Sequence, residues 1–196
     1  MFDFKIDNAH RAYELMQEGW PTRIVSLVGP DLNFDLPSQG DHHLIKVFHD
    51  FEGPVDPETL KDTTWELKHD LILPTKSDMQ EILEFTEDLT YEDRLLIHCH
   101  AGRSRSVAAL ISIIFFHMAE DPDYMNLSNI EQAREAIRLV QAARPTMIPN
   151  RLMLQYADSV IFYGMETPLT QANKEYWDSY EGRDKDMRTK YSGWKD

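Results

Sequence analysis

The residues best equipped for chemistry stand together in one stretch, His98-Cys99-His100-Ala101-Gly102-Arg103-Ser104-Arg105-Ser106, which holds the chain's single cysteine. Leu95-Leu96-Ile97 leads into it and reads as a buried strand. Val107 to Met118 leaves it and reads as a buried helix. A tight loop between a strand and a helix N-terminus turns several backbone N–H groups towards one point, and the helix dipole adds partial positive charge there. Such a place suits a bound oxyanion, and it equally favours a thiolate over a thiol. Cys99 is then a candidate nucleophile at the loop floor. Arg105, in the first helical turn, carries a planar fork that can grip two oxygens of a phosphate. Gly102 permits a conformation or an approach that a side chain would block. Ser106 can donate to the sulfur when it departs as thiolate, and His98 can order the loop from behind. A metal reading of His98, Cys99 and His100 fails, because neighbours on one strand end cannot all converge on one ion and no second cysteine exists.

The string His-Cys-x5-Arg-Ser resembles the signature loop of the cysteine-dependent protein tyrosine and dual-specificity phosphatases. The resemblance covers about residues 22–163 and implies hydrolysis of a phosphate monoester through a phosphocysteine, without metal or cofactor. It implies that residues His100 to Arg105, namely His100, Ala101, Gly102, Arg103, Ser104 and Arg105, wrap the phosphate. It also implies an acid aspartate on a loop after a strand. Phe48-His49-Asp50 looks like the bacterial, dual-specificity-like branch at that place, so Asp50 is the expected general acid, with Glu52 the runner-up and Asp56 third. The string Arg144-Pro145 to Pro149-Asn150 also matches the dual-specificity enzymes, where Asn150 would tie the signature loop to the following helix. From the residues alone, Asn150 is equally an ordinary helix cap.

Those groups must be held by a scaffold. At 196 residues the chain suits one domain with a sizeable core. The expected architecture is α/β, a central, mostly parallel sheet flanked by helices, with the signature strand near the middle. The expected division is a phosphatase domain over 1–165 and a polar tail over 166–196. Asp7 to Gly19 reads as an amphipathic helix with Ala9, Ala12, Tyr13 and Met16 on one face. Thr22 to Val28 and Leu44 to Phe48 read as strands, and residues 31–43 as a loop in which His42 and His43 are a solvated pair. Residues 53–70 read as an insertion or flap, followed by a short strand or extended lead-in at Leu71 to Leu73. Ser77 or Asp78 caps a helix to about Leu89. Ser128 and Glu131 have capping-box spacing ahead of a helix striped by Ile130, Ala133, Ile137 and Val140. A last helix carries Leu152, Met153, Tyr156, Ala157, Val160 and Ile161.

The net charge of −14 argues against a general nucleic-acid or anionic-membrane binder. One cysteine allows no internal disulfide, which fits a reducing cytoplasm. Met1 to Trp20 lacks the apolar core of a signal peptide, and the run near 107–118 is too short to span a membrane. The expected partners are a phosphoprotein or a small phosphorylated substrate. Basic residues at His100 and Arg103 keep inositol phosphates or phosphoinositides as an alternative substrate class. A catalytically weak phosphate-binding module is the alternative of a different kind.

Overall fold

A computed structural model of the chain describes residues 1–30, 36, 40–51 and 71–179. Four parallel strands form one sheet: β1 (Asp3–Asn8), β2 (Arg23–Val28), β3 (His43–Val47) and β4 (Arg94–Cys99), in the order β1-β4-β2-β3. The helices among the described residues are α1 (Ala9–Gln17), α2 (Lys76–Thr86), α3 (Arg105–Met118), α4 (Asn129–Ala143), α5 (Arg151–Ile161) and α6 (Pro168–Ser179). The fold is α/β as expected, with the signature strand β4 inside the sheet.

The two faces of the sheet are dressed differently. Alternation along β4 sends Leu95, Ile97 and Cys99 to one face, where they join Val25, Leu27 and Leu44 in the main core under α3. Leu96 and Ile24 go to the other face and pack with Ala12 and Leu15 of α1. Helix α3 is buried on nearly every side, from Val107 through Phe115, so it runs through the core as its central rod. None of the helices is long and apolar enough to cross a membrane, among the described residues.

Several sequence expectations shift. Strand β1 was not foreseen; it pairs Asp3–Asn8 with Arg94–Cys99, and the helix read from Asp7 begins at Ala9 with Asn8 as its cap. Helix α1 buries Ala9, Ala12 and Leu15, while Tyr13 is exposed. His43 is no loop residue: it starts β3 and is fully buried, whereas His42 is exposed. Helix α2 is capped by Thr75 with Asp78 closing the capping box, rather than by Ser77 or Asp78. Residues 71–73 form no strand. The Ser128–Glu131 capping box is present.

The stretch beyond 165 begins as a packed helix. Leu169, Ala172 and Tyr176 of α6 lie in the main core, against α4 and α5. Asp158 of α5 anchors its start, accepting from Leu169 N (3.0 Å), Thr170 N (2.9 Å) and Thr170 Oγ1 (2.7 Å). The packed body therefore reaches Ser179. The 53–70 insertion, with Asp56, the acid candidate Glu52, and residues 180–196 lie outside the described residues.

Candidate active site

The loop between β4 and α3 is shaped by what surrounds it. Gly102 adopts φ +64°, and a Cβ there would stand 2.4 Å from the Asp7 carbonyl carbon and oxygen and 2.6 Å from Asn8 N. Only glycine fits against that backbone. The loop's carbonyls turn outward. His100 O accepts from Ala9 N (3.2 Å), Arg103 O from Ile148 N (2.7 Å) and Ser104 O from Ala108 N (2.9 Å) and Asn150 N (3.4 Å). Ala101 O accepts from the Arg144 guanidinium at 3.0 Å. In a trans peptide the N–H points opposite to its C=O. Outward carbonyls at 100, 101, 103 and 104 therefore direct the amides of Ala101, Gly102, Ser104 and Arg105 inward, which is an anion nest at a helix N-terminus.

Cys99 ends β4 at the floor of this nest and is 1% exposed. Ser106 Oγ donates to its sulfur at 3.2 Å. The Arg105 side chain is buried too, and one of its terminal nitrogens donates to Phe48 O at 2.6 Å. Its Nε has no hydrogen-bond partner. A buried guanidinium with an unused donor is costly unless an anion completes it.

Asp50 closes the arrangement from the end of β3. Its Oδ1 accepts from Ser104 Oγ (2.6 Å) and Asn150 Nδ2 (3.0 Å), and its Oδ2 lies 3.7 Å from Arg105 Nε. The loop carrying it is stapled to the segment before α2: His49 N donates to Ile72 O (2.8 Å) and Ile72 N donates to His49 Nδ1 (3.1 Å). Asn150 combines both of its expected parts in a different way. Its Oδ1 caps α5 by accepting from Met153 N, and its amide donates to Asp50 and to Phe51 O. The tie from its side chain therefore runs to the loop carrying Asp50, while its backbone N–H reaches Ser104 O in the loop after Cys99.

The remaining candidates are placed as follows. His100 is exposed at the loop. Arg103 donates from Nε to Thr146 O at 2.8 Å, which turns its stem towards the segment before α5. His98 lies behind the loop, on the sheet face opposite Cys99. Its Nε2 is 2.6 Å from Ser26 Oγ, which in turn is 2.8 Å from His43 Nε2. Burial above all, then the neighbouring His43, lowers the His98 pKa to about 4, so the ring is neutral at physiological pH. Sequence reasoning missed the parts played by Ser26, His43 and Arg144. Ser26 carried a signal as a lone hydroxyl inside an otherwise apolar strand, and Arg144 stood in the string that ends at Asn150, without its contact to Ala101 O being foreseen.

No family model and no curated protein matches the chain. Solved structures do align with it over most of its length. The Yvh1 phosphatase domain from Chaetomium thermophilum is 18% identical, with 94% of this chain and 95% of that one covered and a TM-score of 0.47. DUSP15 is 17% identical, with 91% and 92% covered and a TM-score of 0.48. The human tyrosine phosphatase-like serine/threonine/tyrosine-interacting protein is 18% identical, with 90% and 88% covered and a TM-score of 0.44. At that distance the chemistry has to be read from the site itself.

Proposed function

We propose that this protein hydrolyses phosphate monoesters through a phosphocysteine intermediate, as a protein tyrosine or dual-specificity phosphatase. The observation that carries this reading is the buried Arg105 guanidinium, whose Nε makes no hydrogen bond and faces Asp50 Oδ2 only at 3.7 Å, at the first turn of a helix whose preceding loop aims its amides inward. A tetrahedral dianion is the guest that satisfies both sets of donors.

The chemistry follows from the contacts. The Cys99 thiolate attacks phosphorus in line, forming the S–P bond as the P–O bond to the leaving group breaks. Arg105 and the loop amides hold the three peripheral oxygens. Asp50 protonates the departing oxygen; its Oδ1 is occupied by Ser104 and Asn150, so Oδ2 is the oxygen that carries the proton. Water then attacks the phosphocysteine with Asp50 as base. The sulfur leaves as thiolate, stabilised by the Ser106 hydroxyl. Arg103 and Arg144 spend donors on Thr146 O and Ala101 O, bracing the loop, which supports a single-phosphate substrate over an inositol polyphosphate.

The test is turnover of an aryl phosphate alongside phosphopeptides and inositol phosphates, with Cys99→Ser as blank. Activity confined to the parent protein, with vanadate binding kept in the variant, is the expected result. Undiminished turnover in Cys99→Ser removes the mechanism.

A further inference from the structure

We propose that Arg144 is a positioning residue for the phosphate group: its guanidinium holds the Ala101–Gly102 peptide in the orientation that turns Gly102 N–H into the nest. This rests on the reading of that nest as the phosphate site.

Arg144 is aimed by its place in the chain. Pro145 disfavours a helical conformation for the residue before it, so α4 stops at Ala143 and Arg144 leaves it at φ −136° and ψ 79°. Two backbone bonds pin it there, from Arg144 N to Val140 O (2.8 Å) and from Met147 N to Arg144 O (3.0 Å). The planar fork then spans two neighbours. Nη2 donates to Ala101 O at 3.0 Å, and Nη1 lies 3.8 Å from Asp7 Oδ1 near the end of β1. The Asp7 carboxylate is itself fixed, accepting from Asn8 N at 2.8 Å. The Arg144 side chain is 25% exposed, and its Nε is buried with no hydrogen-bond partner among the described residues. An apolar side chain of similar length would fill that space without the unmade bond. What the guanidinium adds is its hold on Ala101 O.

That carbonyl is held differently from the others of the loop. His100 O, Arg103 O and Ser104 O accept from backbone N–H groups, so the fold itself ties their peptides. Ala101 O is tied by a side chain. Its peptide is also the one followed by Gly102, at φ +64°, and a glycine populates negative φ about as readily. Opposite rotations about ψ of Ala101 and φ of Gly102 turn this peptide over while leaving the Cα atoms in place. Turned over, it points Ala101 O into the nest and Gly102 N–H out of it. In the empty nest the converging N–H groups repel one another, which favours the turn; a bound dianion opposes it. Arg144 opposes it before any anion arrives. The donor is then already in place for the phosphate, and binding has no peptide to reorient.

Arg144→Met keeps the packing of the stem and removes the fork, and the helix end stays closed because its bonds are made by the backbone. In the full chain, calorimetric titration with vanadate should show binding weakened about tenfold or more, the worth of one hydrogen bond to a charged group. Aryl phosphate turnover should lose kcat/KM by a similar factor at every leaving group, because Asp50 keeps both of its tethers. Parent-like vanadate affinity in Arg144→Met overturns the proposal. A second readout needs neither anion nor turnover. A crystal structure of Arg144→Met, grown free of sulfate and phosphate, should show Ala101 O turned into the nest or divided between two orientations. A single orientation with Ala101 O outward overturns the proposal as well. A parent protein that bound no vanadate would sink the phosphate reading, and the second readout would still decide the part played by Arg144.

Discussion

Mild acid should weaken this protein, and His98 is the reason. An imidazole in the unfolded chain titrates near 6.5, and in the fold His98 titrates at about 4. Between those values the unfolded chain binds a proton that the native one refuses, so stability rises with pH across the window and is lost as pH falls through it. Complete protonation of the unfolded chain amounts to roughly 3 kcal/mol, and between pH 7 and pH 5 the loss is roughly 2 kcal/mol. The carboxylates held low by hydrogen bonds, Asp93 from Thr90 and Glu131 from Ser128, stabilise the fold above their unfolded values near 4. Their contribution is lost further down the scale. Urea unfolding at pH 7 and pH 5 isolates the histidine share. His98→Gln, whose amide can meet Ser26 but does not titrate, should lower stability at pH 7 and lose less on going to pH 5 than the parent does. A parent protein equally stable at both values, or a variant with the parent's full slope, would refute the argument.

Other perturbations probe different parts. Gly102→Ala should cost about 1–3 kcal/mol and abolish vanadate binding, because both φ and the Asp7–Asn8 backbone forbid the methyl; thermal unfolding and calorimetric titration check this. Asp50→Asn should lose about 10²–10⁴ in rate on an alkyl phosphate and far less on a nitrophenyl phosphate, read from a leaving-group series. Asn150→Ala should cost about 1 kcal/mol through the lost α5 cap and also blunt that leaving-group dependence, since Asp50 loses a donor. Asp158→Ala should free the start of α6, seen as faster amide exchange over 168–179, at a cost of about 1–3 kcal/mol.

What could be read from the residues, and what could not, divides along physical lines. The strand-loop-helix around Cys99 was legible because apolar runs flank it on both sides and because the required residue types are rare in that order. The Ser128 and Glu131 cap was legible because capping is local. Strand β1 was not: Asp3-Phe4-Lys5-Ile6-Asp7 is short and charged, as an edge strand is, and only pairing with Arg94–Cys99 makes it one. His43 was misjudged because it follows Gly40-Asp41-His42, a turn-like string, and its burial is decided by Ser26, seventeen residues earlier. Helix α6 escaped notice because its stripe is only Leu169, Ala172 and Tyr176 and its cap comes from Asp158 on another helix. The place of Asp50 at the end of a strand was foreseeable. Its two tethers, Ser104 and Asn150, were not, because they meet it from 54 and 100 residues away.

The tight seat of Gly102 on Asp7 and Asn8 makes the chain's opening residues part of the mould in which the anion cradle is cast. Strand β1 is an outer strand, held by one neighbour, yet it backs the most demanding turn in the molecule. Whatever peels it away, whether a nick by a protease, a bulky fusion or a competing strand, would take the cradle's rear wall with it while leaving Cys99 and Arg105 chemically intact.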